Sequence, residues 1–200
     1  MPSCVEIYHT RSYISDNVFK IGMRGITIFF TGLPGSGKTT LATLLLEELS
    51  ELRDREVVLF DGDDVRREYS QTVGFSKEDR NAHVMYVGGL SHEVVKREGV
   101  ALCALIAPYR EAREKNRERI SEDGVYIEVH VSTPLEICIQ RDPKGLYKKA
   151  LAGHIENFTG IDDPYEIPED PELIIDTTAE DAPACVSRIL AYLKENGHIT

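Results

Sequence analysis

The chain has 200 residues, 42% of them hydrophobic, which is enough for one compact domain with a sizeable core. Its net charge of −11 argues against a general nucleic-acid binder, which needs a broad basic face, and no apolar run approaches membrane-spanning length. Four cysteines (Cys4, Cys103, Cys138, Cys185) lie far apart with no C-x-x-C pair, which argues against a disulfide framework or a zinc site and fits a reducing cytoplasm.

In chain order, Met1 to Lys20 is mixed and polar and lacks the apolar centre of a secretory signal. Residues 1–24 therefore read as an N-terminal extension, or an expression remnant, ahead of a domain over 25–200. A buried strand is expected at Ile26–Thr31 and a helix at Lys38–Arg53. Between them Gly32 to Thr40, G-L-P-G-S-G-K-T-T, meets the pattern G-x-x-x-x-G-K-[ST] at every fixed position. In this strand–loop–helix context the backbone N–H groups of Gly35 to Lys38 can ring a phosphate chain, helped by the helix N-terminus. Lys38 would reach the β- and γ-phosphates, and the Thr39 hydroxyl would sit on Mg²⁺. Leu33, Pro34, Gly35, Ser36, Gly37, Lys38, Thr39 and Thr40 are the candidate ATP-binding residues.

A second strand is expected at Val57–Phe60, running into Asp61-Gly62-Asp63-Asp64-Val65-Arg66-Arg67. One carboxylate at that strand end could hold Mg²⁺, and another could accept a proton from an attacking hydroxyl. Arg66 could clamp an anionic acceptor. The bland alternative is a polar turn and helix cap. Ser76 and Asp79 resemble a capping box opening a helix over Lys77–Glu98. Phe75, just before it, is either a staple residue or a platform for a flat ring.

A third strand, Val100–Ile106, leads into Ala107-Pro108-Tyr109 and a helix over Arg110–Ile120, where Arg110 and Arg113 could meet an anion or be solvated charges. Next come a strand at Tyr126–Val131 and a helix at Pro134–Arg141. The segment Arg141 to Lys149, R-D-P-K-G-L-Y-K-K, is basic in an acidic chain. It reads as a mobile cover that excludes water from the phosphates, with Gly145 as hinge. Gly160–Glu172 is the longest irregular stretch and is expected to be a surface loop reaching the last strand, Leu173–Ile175. In the final helix, Ala182–Glu195, Val186, Ile189, Leu190 and Leu193 share one face. None of the six histidines has metal-ligand spacing, so the expected metal is Mg²⁺ brought with the nucleotide.

Alternating strands and helices imply an α/β fold: three layers, a parallel five-stranded sheet with helices on both faces and a basic lid, and ligands beyond the carboxyl ends of the strands. The residues alone point to ATP-dependent phosphoryl transfer to a small anionic acceptor. A GTPase switch lacks support because nothing resembles N-K-x-D. An ATPase or binding module without an acceptor does not use the paired acids and the basic lid.

The ordered set G-L-P-G-S-G-K-T-T, D-G-D-D-V-R, G-F-S-K-E-D-R, I-A-P-Y-R-E-A-R, R-D-P-K-G-L-Y-K-K-A and F-T-G-I-D-D-P-Y-E resembles the adenylylsulfate (APS) kinase family of P-loop kinases, over roughly Gly25 to Leu193. The resemblance implies transfer of the ATP γ-phosphate to the 3′-hydroxyl of APS, giving PAPS and ADP. It implies Asp63 as candidate base, with Asp61 supporting Mg²⁺ or orientation, and catalytic roles for Lys38 and Lys144. Phe75 and Phe158 would sandwich the APS adenine, and Arg66 and Arg80 would hold its phosphosulfate. His83, Ile106, Ala107 and Asn157 would line the same pocket, Lys144 would span the lid and both substrates, and Arg141 would lie by the ATP base. It also implies a homodimer and makes ATP sulfurylase a candidate partner. His83 and Met85 stand where the family commonly has Asn and Arg, Leu151 and His154 where it has Arg and Glu, and Ala107 where it often has Ser. An alanine cannot carry phosphate, so transfer would be direct. These substitutions leave a kinase acting on a related nucleotide as the alternative.

Overall fold

The computed structural model describes residues 24–51, 55–69 and 74–199. The extension expected at 1–24, with Cys4 and His9, lies outside the described residues except for Arg24. Five strands form one all-parallel sheet in the order β2-β3-β1-β4-β5. They are β1 (Ile26–Thr31), β2 (Val57–Asp61), β3 (Val100–Ala104), β4 (Val125–Val131) and β5 (Leu173–Ile175). β1 is central, pairing Ile26 with Val100 on one side and with Val125 on the other. Every residue of β1 is buried, as expected of an apolar run with helices over both faces.

Side-chain alternation divides the core. Ile26, Ile28 and Phe30 of β1 face α1 (Lys38–Glu51) and α7 (Ala182–Glu195), where Leu41, Leu45, Val186, Ile189 and Leu193 complete one apolar cluster. Phe29 points the other way, toward Val84, Val87 and Ile120 of α3 (Lys77–Lys96) and α4 (Arg110–Asp123). Gly88 lets α3 and α4 approach closely, because a Cβ there would sit 1.9 Å from Asn116 Oδ1. Cys103 and Cys185 are buried free thiols within these two clusters, and Cys138 is a buried free thiol in a third, with Tyr147, Ala150 and Phe158.

Several expectations change. The acidic segment after β2 is not a turn but the helix α2 (Gly62–Tyr69), whose first-turn Asp63 and Asp64 suit the positive end of a helix. β3 stops at Ala104, short of Ile106, and Ala107 then takes a positive φ of 43°. The lid contains two short helices, α5 (Leu135–Arg141) and α6 (Leu146–Leu151), joined at Gly145, whose φ of 64° suits glycine. Arg113 is not a solvated helix charge, and the anion it meets is a carboxylate of the protein itself. Its side chain is buried, paired with Glu128 at 3.0 Å, and donates to the carbonyls of Ala107 and Glu166.

The stretch 160–172 is a strap rather than a free surface loop. Glu166 N–H donates to Pro108 O at 2.8 Å, and the Glu166 carboxylate accepts from Arg110 N–H at 2.7 Å. These bonds fasten it across the carboxyl ends of β3 and β1, where the active cleft lies in such sheets.

Candidate active site

The phosphate loop is shaped by glycines and anchored from behind. Gly35 and Gly37 have φ of 74° and 105°, conformations that L side chains avoid. Behind the loop, Thr133 at the end of β4 and Thr177 after β5 both donate to the Ser36 carbonyl, at 2.9 and 3.1 Å. Tyr147 of the lid donates to the Pro34 carbonyl at 3.0 Å, and Leu33 packs in the cluster of Cys138, Tyr147 and Phe158. Thr40 is exposed on the first turn of α1.

Lys38 is folded back on its own loop, donating to the carbonyls of Gly32 and Leu33 at 3.0 and 2.8 Å. Burial lowers its pKa to about 8, against the opposing pull of Cys138, Asp63 and Asp61. An ammonium that is costly to bury and bonded only to neutral oxygens, the third being the Ser36 hydroxyl at 3.4 Å, can exchange them for phosphate oxygens.

Asp61 ends β2 and lies against the loop. Its Oδ2 accepts from the Thr39 hydroxyl at 2.7 Å, and its Oδ1 accepts from Asp63 N–H at 2.9 Å. The two residues expected at the metal therefore meet, as a hydroxyl and a carboxylate, which are hard oxygen donors suited to Mg²⁺. Asp63, one residue into α2, is exposed and forms an ion pair with Lys144 of the lid. The hydrogen bond to Asp63 is the main cause that raises the Lys144 pKa. Arg141, at the lid base, donates to the Thr177 hydroxyl and carbonyl at 2.8 and 3.1 Å, beside Gly37.

The acceptor side is assembled from separate segments. Ser76 and Asp79 form the expected capping box, typically worth ~1 kcal/mol, which fixes the start of α3. Phe75, just outside it, is 56% exposed, and the position across the cap is Arg80 rather than an apolar residue; the guanidinium carbons of Arg66 and Arg80 lie 4.8 and 5.5 Å from its ring centroid. The apolar pair of a hydrophobic staple is therefore lacking at this cap. Phe158, by contrast, is 7% exposed and meets Tyr147 edge-on at 5.0 Å.

Arg66 donates to the Gly74 carbonyl at 2.9 Å, and its pKa is lowered by burial and then by Arg80. Arg80 donates to the carbonyls of Phe75 and Asn157 at 3.1 and 2.5 Å. The Ile106 carbonyl accepts from Thr31 at 2.7 Å, and Ala107 O accepts from Arg113 at 2.6 Å. His83 is 7% exposed, with Nε2 3.1 Å from the Gly62 carbonyl. That contact requires Nε2–H, which leaves Nδ1 as a buried acceptor without a hydrogen-bond partner.

Loop residues, acid pair, lid cations and acceptor residues thus gather at the carboxyl ends of β1, β2 and β3. Sequence reasoning passed over Thr133, Thr177, Tyr147, Asp162 and Asp163. The two threonines belong to no short pattern. Asp162, whose oxygens accept from the Asn157 and Phe158 N–H groups at 2.7 and 2.6 Å, lies within F-T-G-I-D-D-P-Y-E and was identifiable there as a turn-forming aspartate.

Known proteins are similar to this chain over most of its length. An adenylyl-sulfate kinase of Halothermothrix orenii is 44% identical over 176 residues, covering 88% of this chain and 93% of that protein. A probable bifunctional SAT/APS kinase 2 of Sorangium cellulosum is 44% identical over 177 residues, but this chain spans only 30% of its length. The solved structure of the Mycobacterium tuberculosis APS kinase in complex with AMPPNP and APS is 34% identical, covers 86% of this chain and 99% of that one, and superposes with a TM-score of 0.82. The family model described as adenylylsulphate kinase matches residues 24–176, and the chain belongs to that family.

Proposed function

We propose that this protein transfers the γ-phosphate of ATP to the 3′-hydroxyl of adenosine 5′-phosphosulfate, producing PAPS and ADP in sulfate activation. The observation that carries the reading is the convergence at the end of β2: Asp61 on the phosphate-loop Thr39, and Asp63 on the lid Lys144. Membership of the family and the likeness to a kinase solved with AMPPNP and APS support it.

In this mechanism Lys38 leaves the loop carbonyls for the β- and γ-phosphates of ATP. Lys144 moves from Asp63 to phosphate oxygens, which frees the Asp63 carboxylate as base. The 3′-hydroxyl proton passes to Asp63 as the hydroxyl oxygen bonds to the γ-phosphorus, while the bond from that phosphorus to the β-phosphate bridging oxygen breaks. ADP leaves with that electron pair. Transfer is direct, because Ala107 offers no hydroxyl for a phosphoenzyme.

Mg²⁺ would be held by Thr39 and Asp61 and would supply charge neutralisation between the phosphates. Among the described residues no group of three or more His, Cys, Asp or Glu could hold a metal, so the remaining ligands would be phosphate oxygens and water. Arg66, Arg80 and Asn157 would bound the phosphosulfate and ribose, with His83, Ile106 and Ala107, while Phe75 and Phe158 would take the adenine. Arg141 would lie beside the ATP base. Residues 25–200 form the kinase domain in this reading, and 1–24 lie outside it. A homodimer, contact with an ATP sulfurylase and a cytoplasmic location belong to the same proposal. No helix among the described residues is long and apolar enough to cross a membrane.

The deciding experiment incubates purified protein with ATP, Mg²⁺ and APS and follows PAPS and ADP by chromatography. Equal amounts of the two products are expected. Turnover with another nucleotide and none with APS would replace the acceptor, and ADP release independent of any acceptor would reduce the protein to an ATPase.

A further inference from the structure

The acceptor pocket has three walls on segments far apart in sequence: the start of α3 with Phe75 and Arg80, the β3–α4 connection with Ile106 and Ala107, and the loop with Asn157 and Phe158. No continuous element ties them together, so their spacing depends on side chains that bridge them. One carboxylate meets all three. Asp163 Oδ1 accepts from the Tyr109 hydroxyl at 2.6 Å, and Tyr109 lies two residues beyond Ala107 on the same connection. Asp163 Oδ2 accepts from the Thr159 hydroxyl at 3.2 Å, beside Phe158, and lies 3.8 Å from Arg80 Nε. Arg80 in turn holds the carbonyls of Phe75 and Asn157.

The backbone at Asp163 reinforces the third wall. Its N–H points to the Phe158 carbonyl at 3.3 Å, and its own carbonyl accepts from Gly160 N–H at 2.8 Å. The Asp163 side chain is 11% exposed and that of Arg80 10%, so the ion pair is shielded from water. Tyr109 is 4% exposed, and burial, with the bond to Asp163, pushes its phenol up to about 12, so it remains a donor at working pH. A buried anion with three donors or cations around it resists displacement, because removing it leaves their polar groups unpaired.

We propose that Asp163 is a positioning residue for the acceptor: it joins the three walls and sets the gap that a purine nucleotide must fit. It touches neither the reacting atoms nor the ATP loop. The inference rests on the APS kinase reading, and its test keeps the two apart. Wild-type turnover of APS is measured first, and absence of PAPS there rejects the reading itself. With wild-type activity in hand, Asp163→Ala should raise the KM for APS about ten-fold or more, from loss of hydrogen bonds to a charged group. The Kd for AMPPNP should stay within about two-fold, since the donor site shares none of these bonds.

Asp163→Asn keeps an acceptor for Tyr109 and should recover part of the loss. Tyr109→Phe should raise the KM for APS less, and in the double variant it should add nothing to Asp163→Ala, because the two share one bond. An unchanged KM for APS, an equal loss of AMPPNP binding or additive effects would overturn the proposal. If Asp163→Ala does not fold, Tyr109→Phe decides: a raised KM for APS with AMPPNP affinity kept supports the role, and an unchanged KM rejects it.

Discussion

The donor and acceptor halves of the cleft are built by opposite strategies. The donor half is one contiguous loop of nine residues whose backbone geometry does the recognising. Its glycines take positive φ, and its Ser36 carbonyl is held from behind by two threonine hydroxyls. The acceptor half has no such backbone frame. In the proposed reading it is a set of side chains on α3, the β3–α4 connection and the segment from Asn157 into the 160–172 strap, held in register by Arg80, Arg113, Asp162 and Asp163. Triphosphate is the same in every nucleotide, so a short backbone motif suffices for it. A particular acceptor has to be enclosed on several sides, which calls for long-range side-chain contacts.

The difference is open to direct tests, and the largest effect is expected where the halves meet. Asp63→Ala removes the proposed base, and loss of a general base typically costs ~10²–10⁴-fold in rate. Because Asp63 touches the lid but not the loop, kcat should fall by that order while the Kd for AMPPNP is retained, read by steady-state kinetics beside calorimetry. Near-normal turnover would remove Asp63 from the chemistry. Lys38→Ala acts on the donor half alone. Losing one charge aimed at the transferring phosphoryl group is expected to cost ~10²–10³-fold in kcat/KM for ATP. APS affinity, measured in the absence of ATP, should be unaffected. A loss of APS affinity as large as that of ATP would mean that the two halves are not separately built.

Legibility in the sequence follows the same division. β1, β5 and α7 coincide with their expected bounds because each is an apolar pattern of a single period next to a clear break. The phosphate loop and the Ser76–Asp79 cap were readable because their partners are close in sequence or fixed by a common motif, whereas Asp61 was singled out from its neighbouring acids only through the resemblance. α2 was missed, since in G-D-D-V-R-R-E-Y Val65 is the single buried apolar residue among those described, and the segment looks like a turn. α6 was missed because six residues are too few to show a helical period. Arg113 could not be placed, because its partner Glu128 is on a strand and an acidic residue in β4 carries no sign that it faces inward. Arg66 and Phe75 could be suggested from the residues alone, but the other acceptor residues came only through resemblance to a family, since no local rule brings Arg80 to Asn157 or Tyr109 to Asp163.

His83 provides the smallest and most selective test, because it joins the halves through the backbone. Its Nε2–H holds the Gly62 carbonyl, which lies between Asp61, the proposed metal ligand, and Asp63, the proposed base. Burial, with Arg66 adding repulsion, lowers its pKa from 6.5 to about 4 despite the favourable Gly62 bond and Asp63 charge. The folded chain therefore keeps the ring neutral where the unfolded chain binds a proton. Stability contributed by the neutral ring is present above pH 6.5 and is lost as pH falls from there toward 4. Asparagine in its place can still donate an N–H to the Gly62 carbonyl but cannot titrate. Urea unfolding at pH 7 and at pH 4.5 should show a smaller loss of stability on acidification for His83→Asn than for the wild type. An equal loss in both would mean that the folded state accepts a charged His83. The ring would then act on the acceptor as a cation, and the acceptor half would owe more to charge and less to its shape.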